Sequence, residues 1–212
     1  MRTGEVQTLL PLEVTLDHWR TGSAMQATKQ LLILDVDETL VYAHDTPLSD
    51  ATPDFRLGSY VVYRRPFLSE FLTTVNEWFD LAVWSSASPS YVEGVVAKVF
   101  GDAFSLRFVW SRQRCTRRFD PACQDHFYAK NLVKVRKLGY PLERMLIVDD
   151  SPEKVSQNYG NYIRIRPFTG NPADTELRDL LPFLRWLSRL DNVRAVEKRH
   201  WRLFKPSQAP AR

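Results

Sequence analysis

Two short apolar runs in this chain end in adjacent acids, and that pattern limits what it can fold into. The stretch LLILDVDETL opens with Leu31, Leu32, Ile33 and Leu34, a run of buried-strand length, and then turns acidic at Asp35, Asp37 and Glu38. The stretch MLIVDD repeats the arrangement, with Met145 to Val148 followed by Asp149 and Asp150. Carboxylates at the mouth of a buried strand repel one another and lose hydration, so the arrangement calls for a cation or an incoming reaction partner.

The segments between alternate in type. Val41 to Arg65 carries the turn formers Pro47, Pro53 and Gly58 before the β-type run Tyr60-Val61-Val62-Tyr63, and reads as a hairpin or flap. From Pro66, suited to a first helical turn, Phe67, Leu68, Phe71, Leu72, Val75 and Trp78 fall at helical spacing. Leu81 to Trp84 is a short strand ending in Ser85-Ser86. Ser88-Pro89 caps and opens a helix striped by Tyr91, Val92, Val95, Val96 and Val99. Phe108 to Trp110 predicts a strand that runs into an irregular, arginine-rich stretch to about Gln124. Asn131 to Leu138 reads as a helix stopped at Gly139, Ser151-Pro152 as the start of another, and Tyr162 to Ile165 as a last strand. A final helix over about 173–190 contains Pro182, which is expected to kink or restart it. Strands alternating with helices predict an α/β fold with a central parallel sheet and flanking helices, and chemistry at the carboxyl ends of the strands.

The chain of 212 residues suits one domain, and 44% hydrophobic residues place it among globular proteins. No apolar run approaches a membrane span, no secretory signal is expected, and membrane association is not predicted. Two cysteines, Cys115 and Cys123, make no disulfide framework, which points to a reducing, cytoplasmic setting, or a nuclear one in a eukaryote. Cys115, Cys123 and His126 match no standard zinc spacing, and Trp84 is expected to pack inside the sheet. Residues 194–212 hold six basic side chains against Glu197 alone. This tail is read as a solvated, partly frayed terminus, with nucleic acid an unfavoured partner.

In a parallel sheet, Asp35, Asp37, Ser85 and the Asp149-Asp150 pair share one edge, and Lys130 lies just upstream of the third strand. A carboxylate, a second acid/base carboxylate, a hydroxyl, a lysine and oxygen ligands for a hard cation make up a set suited to phosphoryl transfer. An aspartate can attack phosphorus and so divide one hard hydrolysis into two easier steps. A cation and a lysine neutralise the phosphate dianion, while the second carboxylate protonates the leaving oxygen and then deprotonates water.

Asp35-Val36-Asp37-Glu38-Thr39 resembles the D-x-D-x-T signature of the haloacid dehalogenase superfamily. ILDVDETLV, YRRPFLSEFL, AVWSSAS, YAKNLVKV, LIVDDSPEKV and DLLPFLRWL together are similar to the FCP/SCP-type, or NLI-interacting-factor-like, phosphatases, which act on phosphoserine in the tail of RNA polymerase II. The resemblance implies a Rossmann-like fold with a β-hairpin flap over about 41–63 and a small inserted β element over about 105–128. These sit in a phosphatase domain over 30–190, between an N-terminal extension (1–29) and the basic tail (191–212). It implies Asp35 as nucleophile, Asp37 as general acid/base, and Mg²⁺ held by Asp35, Asp150 and the main-chain carbonyl of Asp37, with Asp149 acting through water. Ser85, with Ser86 beside it, and Lys130 would hold the phosphoryl oxygens, and Thr39 would brace the catalytic loop. Arg112 falls where the family places an arginine near the substrate.

The chain departs from the family at Ser85-Ser86-Ala87-Ser88, where the family reads T-A-S and an apolar residue, so Ser88 replaces an apolar wall of the pocket that accepts proline. The resulting expectation is a Mg²⁺-dependent phosphatase acting on phosphoserine or phosphothreonine in a phosphoprotein or phosphopeptide, through an aspartyl phosphate. Two alternatives remain: a small-molecule phosphomonoesterase on the same scaffold, and a non-catalytic phosphoprotein-binding module, against which the retention of both Asp35 and Asp37 argues. A receiver domain is set aside, because its acidic pair precedes its phospho-accepting aspartate. Oligomeric state is not readable from the sequence.

Overall fold

The computed structural model describes residues 29–122 and 124–208, so most of the 1–29 extension and Cys123 lie outside the described residues. Five parallel strands form the central sheet: β1 (Gln30–Leu34), β5 (Phe79–Trp84), β6 (Leu106–Trp110), β9 (Met145–Asp149) and β10 (Tyr162–Arg164), in the order β10-β9-β1-β5-β6. Because side chains alternate across a strand, β1 divides between two cores. Leu32 and Leu34 join Leu81, Val83, Leu146, Val148 and Ile163 on one face. That face is covered by α1 (Leu68–Trp78), α2 (Pro89–Val99) and α3 (Glu176–Leu187). Leu31 and Ile33 join Ala82, Trp84, Met145 and Ile147 on the other, under Leu132, Val135, Tyr140 and Val155. Trp84 is buried there, edge-on to Trp110.

Two small antiparallel sheets accompany the central sheet. β2 (Val41–His44), β3 (Phe55–Leu57) and β4 (Tyr60–Arg64) pair in the order β2-β4-β3. β7 (Thr116–Asp120) pairs with β8 (Asp125–Ala129), so the arginine-rich stretch, irregular by its local pattern, holds the small inserted β element that the resemblance implied. Its ladder runs from Thr116–Ala129 to Asp120–Asp125, which leaves Arg117 and Arg118 exposed.

Several helix expectations change. α1 begins at Leu68 rather than at Pro66, because Phe67 takes a left-handed φ of 63°. Leu132–Leu138 is a 3-10 helix, capped by the Asn131 side chain and stopped at Gly139 with φ 92°. No α-helix starts at Ser151-Pro152. The Lys154 carbonyl that such a helix would give to Asn158 N instead accepts the Lys130 amide at 2.7 Å, and Asn158 N turns to Val155 O. α3 runs unbroken through Pro182, which is exposed, as is Arg178, so the carbonyl left without an amide partner lies on the solvent side. The basic tail is docked as far as Phe204, not frayed: Trp201 is buried and donates Nε1 to Arg164 O at 2.8 Å, and Phe204 packs on Phe183 and Trp186. Apolar burial outweighs its charge.

Candidate active site

The register places the acids. Leu34 pairs with Val83 on one side and Val148 on the other, so Asp35, Trp84-Ser85 and Asp149-Asp150 emerge at one edge. Asp35 N still donates to Val148 O at 3.0 Å. The chain then wraps around a single carbonyl, with Thr39, Leu40 and Val41 amides all directed at Val36 O. Glu38 takes φ 57° at the tip of this loop. The buried Arg65 fixes the loop from behind. It donates to the carbonyls of Glu38 and Thr39 and to Arg166 O, and forms a two-point ion pair with Asp174. Thr39 is fully buried, its hydroxyl without a hydrogen-bond partner.

Lys130 is the buried cation at the centre. Its Nζ donates to Asp35 Oδ1 at 2.5 Å and to Asp149 Oδ2 at 2.6 Å. Burial disfavours the ammonium, but Asp149 and Asp35 outweigh it and hold the lysine above its ordinary range, so it stays charged. Burial and the neighbouring Asp35 push Asp149 upward against the pull of Lys130. Asp150 is also raised, first by burial and then by Asp35. Lys154 is a second cation whose charge acts on Asp149, Asp150 and Asp37.

Asp37 faces another way. Its Oδ1 accepts the Tyr91 hydroxyl at 2.6 Å and its Oδ2 the Ser85 hydroxyl at 3.3 Å. Burial and the Asp35 charge raise its pKa, and these two hydrogen bonds oppose the rise. Ser85 Oγ also accepts Ala87 N at 3.0 Å. Arg112 sits at the rim, donating Nε to Ser86 O at 2.9 Å with its guanidinium 4.9 Å from the Tyr128 ring centre. The structure therefore brings Asp35, Asp149, Asp150 and Lys130 into contact and sets Asp37 and Ser85 beside them. Ser86 and Arg112 lie outside that contact, and Thr39 lies beneath it. Sequence reading gave no role to Tyr91, Arg65 or Lys154. All three stood in recognised segments, but only the tertiary contacts separate them from helix-stripe and surface residues.

Asp35, Asp149 and Asp150 offer carboxylate oxygens within 4.8 Å of one another. Asp35 Oδ2 and Asp150 Oδ1 are buried without a hydrogen-bond partner. Two orphaned carboxylate oxygens within this cluster fit a hard cation, and all-oxygen donors suit a metal of that class.

The family model for the NLI interacting factor-like phosphatase matches residues 30–194. The chain belongs to this family. Human carboxy-terminal domain RNA polymerase II polypeptide A small phosphatase 1 is 32% identical over 184 residues, covering 82% of this chain and 66% of that protein. CTD nuclear envelope phosphatase 1 of Xenopus tropicalis is 30% identical over 189 residues, covering 82% of this chain and 74% of the relative. Among solved structures, Fcp1, described as an essential RNA polymerase II CTD phosphatase, superposes with a TM-score of 0.56 at 17% identity, over 74% of this chain and 61% of that one. The fold is that of haloacid dehalogenase-type hydrolases, and this NLI interacting factor-like chain is a phosphoric monoester hydrolase of the protein phosphatase class. Among the described residues, no helix is long and apolar enough to cross a membrane.

Proposed function

We propose that this chain hydrolyses phosphoserine or phosphothreonine in proteins, in a Mg²⁺-dependent reaction that passes through a phosphoryl group on Asp35. The observation that carries the reading is the charge arrangement at Asp35: Lys130 occupies Oδ1, and Oδ2 is left without a partner. Asp35, Asp150 and the main-chain carbonyl of Asp37 would hold the Mg²⁺, with Asp149 behind them, and the bound ion supplies the positive charge that lets a phosphate dianion approach. Asp35 attacks phosphorus and the bond to the seryl or threonyl oxygen breaks. Asp37 gives that oxygen its proton. Asp37 then takes a proton from the water that hydrolyses the aspartyl phosphate. A raised pKa at Asp37 suits a group that must be protonated for the first step. Tyr91 and Ser85 aim its carboxyl, and Ser85 with the Ser86 segment receives the phosphoryl oxygens. Lys130 holds Asp35 in place and offsets its charge.

The substrate class rests on the relatives' names and on Arg112 at the rim beside the β7–β8 hairpin. We place the activity in a cytoplasmic or nuclear compartment, on the two-cysteine content and on relatives named for the nuclear envelope. The deciding experiment compares turnover of a phosphopeptide array with turnover of a panel of phosphorylated metabolites, in wild type and Arg112→Ala. Peptide turnover should fall in the variant while p-nitrophenyl phosphate hydrolysis is nearly unchanged. Equal losses on both substrates, or a preference for metabolites, would favour the small-molecule reading.

A further inference from the structure

A second concave site lies behind the loop that carries Asp149 and Asp150. It is a cavity of about 600 Å³, within the range of roughly 300–1,000 Å³ usual for small-molecule sites. Its walls come from that loop (Pro152 and Val155), from the end of β10, and from the docked tail over 196–202. Asp35 and Lys130 are not among its walls. The tail wall is fixed in place: Lys198 Nζ donates to the carbonyls of Gly160, Val193 and Val196, and Trp201 Nε1 to that of Arg164. The cavity is therefore preformed and does not depend on a loop closing.

Its charge is one-sided. Five basic side chains line it against one carboxylate, Glu197, while Asp149, Asp150 and Glu153 act on Tyr162 from outside the walls. Glu197 is already engaged by Arg199 and by the Tyr159 hydroxyl, and Arg202 is paired with Glu176. Lys198 spends its donors on backbone carbonyls. What remains is Arg164 and Arg166, two residues apart on the same side of an extended segment, whose side chains make no hydrogen bond or ion pair with any described residue, though Arg166 acts at longer range on Asp174. Around them lie the rings of Tyr159 and Tyr162 and the side chains of Pro152, Pro167 and Val196. The Tyr162 hydroxyl is buried without a hydrogen-bond partner, an unmet donor at the floor.

We propose that this cavity binds a small organic anion, an apolar or aromatic body bearing a phosphate, sulfonate or carboxylate group. Arg164 and Arg166 take the anionic group at the rim, where guanidinium forks match planar and tetrahedral oxyanions. The tyrosines, with Pro152, Pro167 and Val196, take the body. The site is separate from the catalytic centre and does not rest on the phosphatase reaction assigned there.

The test is isothermal titration calorimetry of the full chain with 2-naphthalenesulfonate, an aromatic anion that carries no phosphoryl group for Asp35 to attack. The expected result is one site per chain, weakened about tenfold or more in Arg164→Glu/Arg166→Glu, weakened less in Arg164→Gln/Arg166→Gln, and unchanged in Arg112→Glu at the catalytic rim. Both arginines are exposed, and circular dichroism melts of each variant verify folding. No measurable binding to the wild-type chain, binding that survives charge reversal at 164 and 166 in a folded variant, or loss of binding in Arg112→Glu would each overturn the proposal.

Discussion

At the scale of single residues, the site is governed by how one lysine divides its attention between two carboxylates. Lys130 is fully buried, and its only side-chain partners among the described residues are Asp35 and Asp149. Taking one member out of such a set strands buried charge, which costs about 3–5 kcal/mol. Lys130→Met is therefore expected to lower unfolding free energy in EDTA by that order, with added Mg²⁺ recovering part of it, and to lower kcat as well as kcat/KM. Urea melts with and without Mg²⁺ check the first part; a variant as stable in EDTA as the wild type would contradict it. Tyr91 acts one step away, through Asp37. Tyr91→Phe removes the 2.6 Å hydrogen bond but keeps the ring that packs edge-on to Tyr60. Seryl and threonyl oxygens need a proton to leave, whereas p-nitrophenolate does not. We expect phosphopeptide kcat to fall about tenfold, a fraction of the roughly 10²–10⁴ typical of general acid catalysis. Hydrolysis of p-nitrophenyl phosphate should change little. An equal fall for both substrates would mean that Tyr91 supports structure rather than the acid.

At the scale of elements, what the sequence made legible followed local physics, and what it hid followed long-range contacts. β1, β5 and β9 contain the continuous apolar runs 31–34, 81–84 and 145–148, each followed by polar residues, and such runs announce both a parallel sheet and its functional edge. The acids at those ends and the serine after β5 were legible for the same reason, whereas Lys130, which follows β8, was legible only through the family segment YAKNLVKV. The start after Ser151-Pro152 was not, because a tertiary hydrogen bond from Lys130 N takes the carbonyl on which a helix would have propagated. The β7–β8 hairpin was expected only through the family resemblance, because its arginines suit an exposed two-stranded ribbon but carry little periodic signal. The flap sheet shows the same dependence on remote partners. Val61 and Tyr63 of β4, with Tyr42 of β2 and the nearby Leu48, pack against Phe168. Gly170 closes this contact with φ 91°, and a Cβ there would meet Leu48 Cδ1 at 2.3 Å. Gly170→Ala is expected to cost about 1–2 kcal/mol from the left-handed backbone, plus a steric part. Adding Leu48→Ala should relieve the steric part alone, making the double variant less unstable than the two separate losses summed. Strict additivity in urea melts would show that the clash is not what the variant feels.

At the scale of the whole molecule, the fold is a device for bringing four sequence-distant segments to one sheet edge and holding them against their own repulsion. Arg65 ties the loop after β1 to the segment after β10, and the docked tail covers the sheet's β10 edge, so the catalytic loop is held from the side opposite the cleft. The family assignment and the geometry meet at Asp35, and the account stands on that residue carrying the phosphoryl group. The direct measurement is to let Asp37→Asn, in which breakdown of the intermediate is slowed, react with p-nitrophenyl phosphate, whose leaving group needs no proton, reduce the quenched protein with borohydride, and map its peptides by mass spectrometry. The account predicts conversion of the acyl phosphate to homoserine at position 35, dependent on substrate and on Mg²⁺. An unmodified Asp35 during turnover, or label appearing at Asp149 or Asp150 instead, would contradict it.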